Sequence, residues 1–246
     1  MTRHYVAWTS VVTAALIFTI VDRPGAAQVA PTPEQRVAAL KQSLQDSQAK
    51  LRGYEWIETT IISLKGEEKG RKQQRCFYGA DGKVQKVEIA GSPAPQAKPA
   101  PPSGKRGGRV KAKVVENKKD ELKDYMEKAA ALIQQYVPPT PALIQKAKDA
   151  GKLAVTPLDQ GRARLEFSNY LQNGDRLAID VNAAASTLAA VTVATYLEKP
   201  EDTVALDVRF ASLPDGTSYT SQTTLDAKAK NIRVVIQNSG HRPVQK

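Results

Sequence analysis

The sequence predicts an α+β domain built on a curled antiparallel sheet of about nine strands, an unclosed half-barrel with helices on its concave face. Three observations predict it. Nine segments carry apolar residues at period two and are joined by connections short enough for antiparallel neighbours. Amphipathic helical segments stand before and among them, at 33–51 and 122–136. Strands and helices do not alternate one for one, which excludes a βαβ order.

The elements follow in chain order. Arg3 and His4 precede an uncharged run from Val6 to Val21, short of the roughly 20 residues a spanning helix needs. Pro24-Gly25 breaks it, and Gly25 and Ala27 suit a small-residue cleavage site. Residues 1–27 therefore read as a signal peptide cleaved near Ala27, and residues 28–246 as a single domain working in the periplasm or outside the cell. Thr32 caps and Pro33 opens a helix carrying Val37, Leu40, Leu44 and Leu51, ended by Gly53. Tyr54 to Lys65, Lys69 to Tyr78 and Lys83 to Ile89 form a meander, turned by Gly66-Glu67-Glu68 and Asp81-Gly82.

Between 91 and 109 the Pro-, Ala- and Lys-rich composition predicts a disordered loop inserted into the domain. Helical spacing returns with Leu122, Tyr125, Met126, Ala129, Leu132, Ile133 and Tyr136, and Pro138-Pro139 stops it. Thr140, Pro141 and Gly151 bracket a short further helix. Ala163, Leu165 and Phe167 then pair with Leu177, Ile179 and Val181 about the turn Asn173-Gly174. Thr187 to Leu197, Val204 to Phe210, Tyr219 to Leu225 and Ile232 to Ile236 complete the sheet, with Pro214-Asp215-Gly216 as a turn.

Composition narrows the chemistry. The 246 residues hold 36 Lys+Arg against 25 Asp+Glu and 41% apolar residues, a globular balance with a formal charge of +11. Beyond residue 27 one Cys (Cys76), one Trp (Trp56) and one His (His241) remain. A lone Cys forms no intramolecular disulfide, so the fold must stand on its core, and Cys76 reads as a buried inert thiol. With His241 in the polar tail Gly240-His241-Arg242-Pro243, neither a metal site nor a nucleophilic triad is expected, and no cofactor. Gly104-Lys105-Arg106-Gly107-Gly108 lacks the spacing of a phosphate loop.

Two surfaces stand out. Lys98, Lys105, Arg106, Arg109, Lys111, Lys113, Lys118 and Lys119 are opposed only by Glu116 and suit an anionic envelope surface, or else form a solvated loop. Nucleic acid is disfavoured by the export signal. The segment Thr187–Leu197 is nearly free of charge on both faces, as in a central strand packed on two sides. One face, Leu188, Ala190, Thr192, Ala194 and Tyr196, is small enough to leave room for an apolar guest inside the curl. Trp56 and the helix positions Tyr125, Met126 and Leu132 would complete the lining, the helix acting as a lid.

The order of signal peptide, helix 33–51, strands from Tyr54, interposed helices and a closing meander ending at Ile236 resembles the periplasmic lipoprotein-carrier fold (LolA/LolB/RseB-like). The resemblance implies an unclosed barrel lidded by helices, and assigns no site residues. The resulting expectation is a non-enzymatic carrier or binding protein for a lipid or other hydrophobic ligand. A protein-interaction or envelope-stress sensing module with a filled core is the alternative.

Overall fold

The computed structural model describes residues 33–89 and 108–244. The expected signal peptide and residues 91–107 of the expected loop, with Lys98, Lys105 and Arg106, lie outside them. Helix α1 spans Pro33–Leu51 and is followed by strands β1 (Tyr54–Leu64), β2 (Glu67–Tyr78) and β3 (Val84–Glu88). Helices α2 (Gly108–Ile133) and α3 (Pro141–Asp149) come next. The chain then runs through β4 (Leu153–Pro157), β5 (Arg162–Ser168), β6 (Arg176–Asn182), β7 (Thr187–Tyr196), β8 (Thr203–Ser212), β9 (Ser218–Ala227) and β10 (Ile232–Pro243).

The sheet has ten strands in the order β3-β2-β1-β10-β9-β8-β7-β6-β5-β4. Every pair is antiparallel. Because β3 and β4 do not meet, the curled sheet stays open. The strand beyond the expected nine is β4, an edge strand ending in Pro157, which a lone neighbour on one side tolerates.

Register shows where the core sits. One row crosses the sheet through Leu153, Phe167, Leu177, Val193, Leu206, Leu225, Val234 and Ile62, ending at Gly70. From β5 to β8 its members are buried beneath the helices. Leu40 of α1, Ala129 and Ile133 of α2, and Ile144 and Ala147 of α3 fill that concave side. Burying the leucine and isoleucines among them contributes about 1.5–3 kcal/mol each.

Helix α2 begins at Gly108, so the last two positions of the expected loop and the basic positions Arg109, Lys111, Lys113, Lys118 and Lys119 fall on helical backbone. Alternating Lys, Ala, Glu and Val give adequate helix propensity there without an apolar stripe to announce it. The hairpin at Asn173-Gly174 is also wider than a two-residue turn. Residues 169–175 form a loop organised by the buried carboxylate of Asp175. It accepts hydrogen bonds from the backbone N–H of Tyr170 (2.5 Å), Leu171 (2.9 Å) and Gln172 (2.8 Å) and from the Tyr136 hydroxyl (2.5 Å). Tyr136 also meets Thr195 Oγ1 at 2.8 Å, and Gln172 Nε2 donates to the same oxygen at 2.7 Å. Burial, reinforced by the Asp175 hydrogen bond, pushes the Tyr136 hydroxyl well above its ordinary pKa, so it stays a donor.

Candidate functional site

The helices cover the concave face unevenly, and the difference defines the site. Following the apolar row from β8 toward β1, Leu225 and Val234 are half-buried and Ile62 is 44% exposed. The parallel row Leu165, Ile179, Val191, Val208, Thr223, Ile236, Thr60 behaves alike, buried through Val208 and partly open beyond it. The concave side of β9, β10 and β1 is therefore an apolar shelf continuous with a filled core.

Along β1, Trp56 and Glu58 alternate onto the same face as Thr60 and Ile62. Trp56 lies across from Cys76, which lies across from Lys86. Lys86 Nζ donates to both Glu58 carboxylate oxygens, at 2.6 and 2.7 Å, and the Glu58 side chain is only 12% exposed. Cys76 is fully buried, and its thiol is pushed up to about 11, by burial first and then by the Glu58 charge. That keeps it a neutral thiol with little nucleophilic character.

His241 belongs to this site rather than to a frayed tail. Strand β10 continues to Pro243, with Arg242 ion-paired to Glu55 and the Val244 N–H donating to the Gly53 carbonyl at 2.8 Å. A register shift opposite Glu55/Ile57, with Gly240 at φ +63°, turns the imidazole against Trp56. The two rings stack with centroids 5.8 Å apart and planes 12° off parallel. Tyr219 closes on His241 at 4.1 Å, and Tyr78 on Trp56 at 5.8 Å. The signal for this cluster is spatial, because Trp56 and His241 come from opposite ends of the domain.

Burial holds the His241 imidazole below its ordinary pKa. The unfolded chain takes up this proton near pH 6.5, whereas the folded one resists it, so the fold loses stability as pH falls through about 6.5. We expect His241→Phe, which keeps a ring in the stack, to lose less on acidification than the parent. Urea midpoints at about pH 7.5 and about pH 5 check this, and equal losses in the two proteins would refute it.

The structure does not gather the other expected lining residues around Trp56. A register shift between Asp180 and Val181 gives β7 an extra residue, so Leu188 turns into the core with Val191 and Val193. Ala190, Thr192 and Ala194 take the opposite face, outside the curl. Tyr196 donates its hydroxyl to the Asn173 carbonyl at 3.1 Å and is held by the 169–175 loop. Leu132 packs on the core, and Met126 is half-buried. Tyr125 donates to Asp202, with Lys230 Nζ 5.9 Å from its ring centre. Together with the Lys230–Glu121 pair (2.5 Å), this ties α2 to the turns at one end of the sheet.

The outer face carries a trough of about 340 Å³ floored by Ala178, Thr192, Ala194, Ala205 and Thr224. Arg164, Glu166 and Arg176 wall it on one side, Asp207 and Asp226 on the other. Among the described residues no group of three or more His, Cys, Asp or Glu is placed to hold a metal ion.

No family model and no curated protein matches the chain. Among solved structures it is similar to a DUF1329 family protein from Desulfovibrio piger, at 14% identity and a TM-score of 0.39, over 84% of this chain and 92% of that one. It is also similar to a LolA superfamily protein from Nitrosomonas europaea, at 8% identity and a TM-score of 0.33, over 82% of this chain and 94% of that one. The likeness is one of β-rich architecture at low identity.

Proposed function

We propose that this is an exported, non-enzymatic binding or carrier protein that holds a lipid or similar hydrophobic ligand on the concave shelf of β9, β10 and β1. The supporting observation is the apolar row that is filled from Phe167 to Leu206 and then opens to Ile62 at 44% exposure. Water-facing apolar surface continuous with a core is what a hydrophobic guest covers with gain, at about 25 cal/mol per Å². Trp56 and Tyr78 border the shelf, and α2, with Tyr125, Met126 and Leu132, would act as its lid. Residues 1–27 would direct export, and the basic run 98–119 would hold the loaded protein at an anionic envelope surface.

A brominated fatty acid should quench Trp56 emission saturably. The quenching should vanish in Trp56→Phe and weaken at least tenfold in Ile62→Glu, since a carboxylate on the shelf must be desolvated by the guest. Unsaturable quenching, together with no copurified ligand in the native mass spectrum, would refute the proposal. The densely filled interior under β5–β8 favours a second reading, a protein-interaction or envelope-stress sensing module. Recovery of one stoichiometric protein partner without lipid would support that instead.

A further inference from the structure

The outer trough is independent of the concave shelf, and its walls differ in charge. Across one row the register runs Arg176 on β6, Ala194 on β7, Ala205 on β8 and Asp226 on β9. Arg176 is exposed, and its guanidinium makes no ion pair or hydrogen bond among the described residues. Asp226 is held from behind by Arg233 on β10, whose Nε and terminal nitrogen meet its two oxygens at 2.8 and 2.9 Å. That pairing leaves further lone pairs on the trough side. In the next row Thr192 stands on the floor beside Asp207, which is paired in the same way with Arg209 at 2.6 and 2.8 Å. Glu166 occupies the Arg176 wall one row away, beside Arg164, whose Nε and terminal nitrogen are taken by Asp180 at 2.7 and 2.8 Å.

A free guanidinium thus faces two carboxylates across small residues. Arg176 and Asp226 are three strand spacings apart, about 14 Å. A hydrogen bond of about 3 Å at each end leaves about 8 Å, the length of two to three extended residues. We propose that the trough binds a short peptide as a zwitterion, its terminal carboxylate forked by Arg176 and its terminal ammonium on Asp226 and Asp207. Thr192 and Thr224 face the peptide groups between. The guanidinium fork selects a carboxylate, and the small floor admits a backbone while excluding bulky side chains at the centre.

Tri-L-alanine is the probe, titrated calorimetrically against the purified protein and followed by amide chemical shifts. Saturable binding is expected, with shifts at Thr192, Ala194 and Ala205. Amidating the carboxyl end, or acetylating the amino end, should each weaken binding at least tenfold. In Arg176→Gln the amidated and free peptides should bind alike, and in Asp226→Asn the acetylated and free peptides should bind alike. No saturable binding, shifts confined elsewhere, or indifference of the parent protein to both caps would overturn the proposal. The cap comparison on the parent protein decides even if a variant fails to fold.

Discussion

Replacing Asp175 by alanine should destabilise the protein by about 3–5 kcal/mol, the loss expected when a buried charged acceptor is removed from under its donors. The carboxylate is 1% exposed and serves three backbone N–H groups and the Tyr136 hydroxyl. Alanine takes the acceptor from all four, of which the Tyr170 N–H and the Tyr136 hydroxyl are buried and the Leu171 and Gln172 N–H groups part-buried; the hydroxyl keeps only Thr195 Oγ1. Tyr136→Phe removes one donor and should cost less, about 1–2 kcal/mol, because Gln172 still donates to Thr195. The double variant should cost less than the sum, since both single variants lose the same Tyr136–Asp175 hydrogen bond. Urea unfolding measures all three, and a loss below about 1 kcal/mol for Asp175→Ala would show that the loop satisfies itself otherwise. The network joins the chain just after α2 to the β5–β6 loop and to β7, so Asp175→Ala should also speed amide exchange in the last turns of α2.

Much of the sheet is legible in the sequence because a strand with one buried face alternates, as Val204, Leu206, Val208 and Phe210 do on β8. What escapes reading has physical causes. In β4, Leu153-Ala154-Val155-Thr156 is too short for a period and lies at an edge where burial is slight. In β7 both faces are small and apolar, so the pattern cannot reveal the extra residue that sends Leu188 inward and Thr192 outward; a one-residue slip exchanges the faces. Gly240-His241-Arg242-Pro243 reads as a tail because it lacks alternation, yet β1 is long enough to pair with it through Glu55 and Tyr54. Of the site, Trp56 could be singled out as the lone Trp beyond residue 27. Its partners His241, Tyr219 and Tyr78 are brought together only by strand order and a bulge.

Neutralising the basic run should have the largest effect on affinity, if residues 98–119 dock the protein on an anionic envelope surface. Each Lys or Arg close to such a surface contributes about 1 kcal/mol. Changing Lys105, Arg106, Arg109 and Lys111 together to Gln should therefore weaken sedimentation with anionic vesicles or lipopolysaccharide by about a thousandfold at low salt. Moderate salt should weaken the parent in the same direction, because the screening length shrinks to about 8 Å at physiological ionic strength. The fold should be unaffected. Gln has nearly the helix propensity of Lys and Arg, so α2 keeps its backbone at positions 109 and 111. Fatty-acid quenching of Trp56 should likewise persist, which separates docking from ligand binding. Equal sedimentation of the two proteins, or none by either at low salt, would show that the charge is a solvated surface and that delivery, if this chain performs it, uses another contact.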